Sequence, residues 1–375
     1  MAFALAKPHA GFMKTAALLD LDQDDPVVQA RACGLRYVSD TRPGFSRRKF
    51  GKHFVFYDQK GERITDKAAI ARIRKLAIPP AYRDVWICPQ ANGHMQATGF
   101  DARGRKQYRY HPDWRALRES NKFNHILAFG ERLPAIRDAV DRHMRQRGLS
   151  REKVLATVVA LLERTLIRVG NDEYARKNNS FGLTTLLPEH VEVSGQTLRF
   201  RFTGKSGKSW NLKLSDRRIA RIVQACAEID GQELFKYKDE AGEIRDVTSG
   251  DVNAYLREIT GEDFTAKDFR TWTGTVLAAL ALRDFERFDS AAQGRKNVVQ
   301  AIEKVAKKLG NTPTVCRKSY VHPQVIEAYL DGSLSDQLSG QISGEIDATL
   351  QGEAGQLSPE ELLVLAFLKS RLSPS

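Results

Sequence analysis

Four kinds of side chain spaced along this chain could act together on a phosphodiester. The stretch NTPTVCRKSYVHP, residues 311–323, sets Tyr320 after an Arg-Lys pair and before a Val-His-Pro break. Most tyrosines pack, but a phenol beside cations can attack phosphorus and form a phosphotyrosyl link. Arg168, in LIRVGNDEYARKN, reads as the end of an amphipathic helix before the stop signal Gly170-Asn171, where an arginine can simply complement the helix dipole. Arg270, in KDFRTWTGT, falls near the start of a helix. A cation there opposes the dipole and asks for an anionic partner: Asp268, Glu262 or a bound phosphate. GKSGKS at residues 204–209 lacks the spacing of a nucleotide-binding P-loop and reads as a basic turn between strands. Lys205 or Lys208 projecting from that turn could meet a phosphate. Two arginines can fork onto one phosphodiester, a lysine can protonate an alkoxide leaving group, and the tyrosine can attack. This set calls for neither a metal nor a nucleoside triphosphate.

The elements that must hold these residues fall into two regimes. Across residues 35–112, LRYVSD, HFVFYD, DVWICP, HMQATGFD and QYRYHP are short, aromatic and β-branched, separated by Gly, Pro and Asp. One helix, DKAAIARIRKLA, interrupts them before Pro79-Pro80. Beyond about Arg118 the apolar period becomes helical. ILAFGERLPAIRDAVDRHM and REKVLATVVALLERTLIRV form helices, the second capped by Ser150. HVEVS, TLRFRFTG and SWNLKLS make a short β segment. Helices then resume near Asp216, Ser249, Ala266 and Ser290, in HPQVIEAYLDG, and in PEELLVLAFLKSRL at the end. The fold class is α+β: a small β-rich N-terminal domain and a mainly α-helical domain with a short antiparallel β segment. The expected division is an irregular arm (1–30), the β-rich domain (31–118), the helical domain (119–333), and an acidic linker with a last helix (334–375).

Composition narrows the partners. The 375 residues carry a net charge of +13 and a pI of about 9.6, which suits a polyanion, nucleic acid first. Residues 331–375 hold seven acidic and two basic residues, net −5, leaving +18 on residues 1–330. No apolar run is long enough to span a membrane, and Lys7, Pro8 and Lys14 break up any secretory signal, so a cytoplasmic location is expected. Cys33, Cys88, Cys226 and Cys316 lie far apart without CxxC spacing, and the eight histidines show no ligand pattern. Reduced, mostly buried thiols and no metal site are expected.

LIRVGNDEYARKNNSFGLTTLLPEHVEV, RFTGKSGK, KDFRTWTGTVLAA and NTPTVCRKSYVHP together resemble the successive catalytic segments of type IB DNA topoisomerases, in the short poxvirus-like form found in bacteria. CGLRYVSDTRPGFSRRKFGKHF through GRKQYRYHP is similar to the family's small β-rich domain, so the resemblance covers residues 33–330. It implies a catalytic half with the fold shared by tyrosine recombinases, and Tyr320 as nucleophile. Arg168 and Arg270 would clamp the scissile phosphate. Lys205, directly after the Phe-x-Gly that ends the strand, would be general acid toward the 5′ oxygen. Where viral and eukaryotic members carry a histidine, nine residues before the tyrosine, this chain has Asn311, which can donate a hydrogen bond but cannot carry a proton's charge. Gln107, Tyr108, Tyr110 and Tyr174 would contact DNA, with Lys208, Arg317 and Lys318 supplying further cations. The implied enzyme is a monomer that clamps duplex DNA and relaxes supercoils through a 3′-phosphotyrosyl intermediate, without cofactor, ATP or membrane, at the nucleoid. A tyrosine recombinase would show His-x-x-Arg where this chain has Lys267-Asp268-Phe269-Arg270. A non-catalytic DNA-binding protein is the other alternative.

Overall fold

The computed structural model describes residues 25–51, 53–285, 288–338 and 355–372. Most of the expected arm and of the expected acidic linker lies outside them. The chain divides into two compact units, one up to Lys122 and one from Phe123 onward.

In the first unit Asp25 accepts from the Val27 amide (2.7 Å) and Pro26 occupies the first turn, which starts helix α1 (Pro26–Ala32). The stretch expected to be irregular therefore ends in a helix, whose Ala30 is buried with Leu35 and Trp114. Strands β1 (Ser46–Phe50) and β2 (His53–Tyr57) pair antiparallel. Helix α2 (Lys67–Lys75), capped by Asp66, follows. Strands β3 (Arg83–Ile87), β4 (Met95–Phe100) and β5 (Lys106–Tyr110) form a second antiparallel sheet in that order. Phe56, Ile73, Ile87 and Ala97 join hairpin, helix and sheet in one small core. LRYVSD, expected as a strand, makes only an isolated bridge from Arg36 to Gly93. Its Val38 amide donates instead to His94 Nδ1 (3.0 Å), and Tyr37 stacks on the same imidazole at 4.2 Å. Helix α3 (Pro112–Met144) begins inside the stretch assigned to the β-rich domain and contains the division between the units.

The second unit is mostly helical. It holds α4 (Arg151–Thr165), α5 (Asp172–Asn178), the antiparallel sheet β6 (Val191–Ser194), β7 (Thr197–Gly204) and β8 (Lys208–Ser215), and α6 (Arg217–Ala227). The small pair β9 (Lys236–Lys238) and β10 (Ile244–Asp246) precedes α7 (Ser249–Thr260), α8 (Ala266–Arg283) and α9 (Ala291–Leu309). Four helices close the chain: α10 (Pro313–Tyr320), α11 (Pro323–Leu330), α12 (Leu334–Gln337) and α13 (Pro359–Leu372). Ser150, Asp216 and Ser290 cap α4, α6 and α9 through side-chain oxygens. The core is one cluster running from Phe123 to Leu368, with α4 and α8 buried on almost every face. The fold is α+β, helices with small antiparallel sheets. All four cysteines are free, and Cys88, Cys226 and Cys316 are buried.

Candidate active site

α4 stops because Leu166 takes a left-handed conformation (φ 56°), its amide still bonded to the Leu162 carbonyl. Helix and arginine are therefore separated: Arg168 lies beyond the helix end in an extended segment, and the dipole reading of its position does not hold. That segment runs against residues 182–184, with Leu183 N donating to Arg168 O at 2.9 Å and Thr184 N to Val169 O at 2.7 Å. Only glycine fits at 182, since a Cβ there would sit 2.6 Å from the Arg168 carbonyl oxygen. So anchored, Arg168 donates from Nη2 to the side-chain oxygen of Asn311. An arginine can only donate, so the contact fixes the Asn311 amide with Nδ2 facing the other way.

Arg270 sits in the first turns of α8 and is 3% exposed. Neither carboxylate considered from sequence pairs with it. Asp268 accepts from Thr265 N and Oγ1 and faces His125 at 3.4 Å; Glu262 faces Arg132 at 3.7 Å. The guanidinium instead donates to two carbonyls at element ends, Leu166 after α4 and Leu309 at the end of α9 (2.6 Å). Burial pulls its pKa down, the nearby Arg168 cation pulls it further, and Tyr320 opposes both. The buried Nε of Arg270 and Nδ2 of Asn311 have no hydrogen-bond acceptor among the described residues. Leaving a buried donor unsatisfied costs about 1–3 kcal/mol, so two together mark a place where an acceptor is to be supplied from outside.

Tyr320 is the last residue of α10, which Thr312 caps and Pro313 opens. Its ring lies 5.1 Å from the Arg270 guanidinium carbon. The approach depends on Gly274 in α8, where a Cβ would come within 2.4 Å of the Tyr320 carbonyl oxygen. One residue on, Thr275 Oγ1 accepts the His322 amide at 3.1 Å and holds the chain as it leaves α10. Cys316, a turn before Tyr320, is buried, which pushes its thiol up to about 11.

The two lysines of the β7–β8 turn part company. Lys205 is exposed on a 3-10 turn with Ser206 left-handed (φ 64°), and its ammonium lies 5.5 Å from the Tyr174 ring centroid. Lys208 opens β8, packs 5.6 Å from the Trp210 ring and faces the Lys307 carbonyl at 3.4 Å. A Cβ on Gly310 would be 3.2 Å from its ammonium, so it reaches the turn that carries Asn311. Burial lowers the Lys208 pKa, and the cations of Arg168 and Arg270 lower it further. The structure thus gathers Arg168, Arg270, Asn311, Tyr320 and Lys208, with Lys205 standing aside on Tyr174. The family resemblance favours Lys205 by its place after Phe-x-Gly, whereas the packing that sets Lys208 beside the arginines leaves no signal in the sequence. Arg317 and Lys318 are exposed on α10, and Tyr174 is exposed on α5, whose cap is Asn171. In the first unit Tyr108 and Tyr110 stack at 5.9 Å, both exposed, and Gln107 donates to Asp101 (3.2 Å). The carbonyls of Leu166, Leu309 and Lys307 are the partners sequence reasoning missed, since backbone oxygens leave no residue-type signal.

The comparisons with known proteins decide the family. Residues 111–341 match the family described as eukaryotic DNA topoisomerase I, catalytic core. Residues 53–101 match bacterial DNA topoisomerase IB, N-terminal domain. The chain belongs to the type IB DNA topoisomerases. It is 33% identical over 294 residues to DNA topoisomerase 1B of Acanthamoeba polyphaga mimivirus, covering 76% of this chain and 87% of that one. The DNA topoisomerase 1B of vaccinia virus (strain Copenhagen) is 20% identical over 298 residues, 77% of this chain and 90% of its own. The DNA topoisomerase I of monkeypox virus matches at the same identity and coverage. As a type IB topoisomerase the chain is a DNA-binding isomerase. The core match spans Arg168, Lys205, Lys208, Arg270, Asn311 and Tyr320, while α13 lies beyond it.

Proposed function

We propose that this topoisomerase relaxes supercoiled duplex DNA by cutting one strand, letting it rotate and resealing it, with Tyr320 as nucleophile. The phenol of Tyr320 gives up its proton to solvent, the neighbouring cations favouring the phenolate, and its oxygen forms a bond to phosphorus; the bond from phosphorus to the 5′ oxygen breaks, and a lysine of the β7–β8 turn protonates the departing oxygen and is reprotonated from solvent. The products are a 3′-phosphotyrosyl link and a 5′-hydroxyl, and resealing is the same path reversed. Arg168 and Arg270 hold the phosphate oxygens, Asn311 Nδ2 adds a neutral hydrogen bond, and Lys208 adds charge. Fixed cations placed where the phosphorane gathers charge act as electrostatic preorganisation. The link conserves the energy of the phosphodiester, so torsional strain in the DNA drives rotation. The observation that carries this reading is the Tyr320 ring held 5.1 Å from Arg270, itself a buried cation with an unsatisfied donor. The reading includes a catalytic half of the recombinase type, a division of labour between a β-rich and a catalytic domain, DNA contacts from Gln107, Tyr108, Tyr110, Tyr174, Arg317 and Lys318, a monomer, and work in the cytoplasm at the nucleoid.

The test is a supercoiled plasmid without metal, ATP or a defined site. A ladder of relaxed topoisomers is expected, and strand exchange between defined sites without relaxation would point to a recombinase. Tyr320→Phe should abolish relaxation and the covalent adduct while duplex binding persists. Normal relaxation by that variant removes the nucleophile assignment.

A further inference from the structure

Phe50 is 77% exposed, the most exposed large apolar side chain among the described residues. Scattered apolar residues on a surface need no explanation, but this one ends a finger of unusual make-up. Cross-strand partners in the β1–β2 hairpin are Phe50 with His53, Lys49 with Phe54, Arg48 with Val55, Arg47 with Phe56 and Ser46 with Tyr57. Side chains alternate between faces along a strand. Phe54 and Phe56 therefore share one side with their cross-strand partners Arg47 and Lys49, and both phenylalanines join the unit's core, while Lys49, next to the tip, stays exposed. The opposite side carries Arg48, Phe50, His53 and Tyr57 together with Ser46 and Val55, with Arg48 lying 4.8 Å over the Tyr57 ring. The solvent face of a half-buried hairpin is ordinarily polar. Here it interleaves aromatic and basic side chains.

The base of the hairpin is held firmly. The Arg47 guanidinium lies 4.1 Å from the Phe54 ring centroid and donates to the carbonyls of Ile78 (3.0 Å), Pro79 (2.5 Å) and Tyr82 (3.1 Å). Phe45, just before β1, bridges to Ile87 at the end of β3 through two 2.8 Å backbone hydrogen bonds. Gly51, directly after Phe50, takes φ +58°, a left-handed backbone that favours glycine. Arg48 and Lys49 have no carboxylate partner among the described residues.

We propose that the tip of the β1–β2 hairpin is a second DNA-binding element, in which Phe50 wedges against base pairs, Arg48 on the same face grips a backbone phosphate, and Lys49, exposed on the other face, meets a phosphate flanking the wedge. The proposal rests on the reading that the chain acts on duplex DNA. Among polyanions, duplex DNA offers both a phosphate row for the cations and a stack of apolar faces for the phenyl ring. Apolar side chains in such positions partly unstack a base step, and the cost is offset by contacts along the bent duplex.

The test uses the full chain and duplexes carrying 2-aminopurine at successive positions, whose fluorescence rises when a base unstacks. A local rise is expected with the unmodified chain and should vanish in Phe50→Ala, with duplex affinity falling roughly tenfold, as for removal of one aromatic–base stack. Arg48→Ala with Lys49→Ala should flatten the log–log salt dependence of binding by about 0.9 for each phosphate no longer neutralised. Because Phe50 packs on nothing, its variant should melt at the unmodified temperature, which separates binding from folding. Unchanged fluorescence and affinity in Phe50→Ala overturn the proposal. So does selective loss of binding to phosphatidylserine vesicles with duplex binding intact. If the unmodified chain forms its adduct at Tyr320 yet the hairpin variants bind like it, the catalytic reading stands and the wedge falls. If no adduct forms at all, the reading beneath the proposal falls first.

Discussion

Arg270 shows why chemistry at this site depends on single atoms. Two carbonyls take its terminal nitrogens and leave Nε without an acceptor, so the cation is fixed before any substrate arrives. Lysine could not reproduce that fork. Under the proposed mechanism one lysine of the β7–β8 turn delivers the proton. The family resemblance assigns Lys205, whereas Lys208 lies nearer the arginines. A substrate with a sulfur at the bridging 5′ position leaves without protonation and separates the two. Lys205→Ala should slow cleavage of the ordinary linkage by more than about a hundredfold, in line with loss of general acid catalysis, and regain most of it on the sulfur substrate. Lys208→Ala should slow both substrates alike. The reverse pattern would transfer the acid role to Lys208. A second expectation follows from charge. Burial and two neighbouring cations lower the Lys208 pKa in the free protein; a phosphate placed among them raises it again. DNA binding should then take up a proton on the alkaline side of neutrality, and affinity should fall as pH rises there. Calorimetry in two buffers of different ionisation heat measures the uptake, which Lys208→Met should remove. Uptake that persists in that variant must come from another group.

At the scale of elements, α13 is tied to α3, α4 and α8 by a buried ionic knot. Arg137 in α3 donates from both terminal nitrogens to Glu361 of α13 (2.9 Å each) and from Nε to Glu163 of α4 (2.8 Å). Glu361 also accepts from the Trp272 indole (3.0 Å) and the Ser358 amide (2.9 Å), and Trp272 lies two residues beyond Arg270 in α8. One arginine thus serves two carboxylates, and burial pushes Glu163 upward. Arg137→Met would leave Glu361 without its cation and Glu163 with only the nearby Arg164, at a cost of about 3–5 kcal/mol. The folded-state pKa of Glu163, already raised by burial, would then rise further above the unfolded one. The variant should be closest to the unmodified protein at acid pH and lose stability as pH rises toward neutrality, read as urea midpoints at two pH values. A deficit independent of pH would mean that the arginine acts through its packing and not through its charge. None of this knot was legible in the sequence, because Arg137 and Glu361 are 224 positions apart. What was legible is local. Ser150, Asp216 and Ser290 announce helix starts because each bonds to an amide two or three residues away. The strand β1 escaped notice because SRRKF has no apolar alternation and owes its extension to pairing with β2. Arg168 stands out by residue type yet not by position, since nothing in its neighbourhood foretells a leucine in the left-handed region at the helix end. The residue types that the structure brings together at the candidate site were readable from residue chemistry and family motifs. The distinction between Lys205 and Lys208 was not, because it arises where the Gly310 turn meets β8, a contact across about a hundred residues.

At the scale of the whole molecule the charge is divided, +18 on residues 1–330 and −5 on the rest. Part of the negative share never faces solvent as free charge. Glu361 is buried on Arg137 of the basic body, and Asp331 pairs with Arg371 at 2.8 Å, so these two carboxylates are already engaged within the protein. The cations proposed to meet phosphates have a different character. Among the described residues Arg168, Lys205, Lys208 and Arg270 have no carboxylate partner, their contacts being carbonyls, an amide and aromatic rings. Cations left without counter-charge in the protein keep their full attraction for a polyanion, and binding there releases counterions from the DNA. Six such cations, counting Arg317 and Lys318, contribute about −5 to the log–log slope of affinity against salt, before any share from the β1–β2 hairpin. Affinity should therefore drop by roughly a thousandfold between 50 and 200 mM salt for a duplex of any sequence. Neutralising Arg317 and Lys318 together should flatten that slope by about 1.8 without altering the helix they sit on. An affinity that is flat across this range, or a slope untouched by removing both exposed cations, would mean that phosphates are held elsewhere on the surface and that α10 presents only its tyrosine.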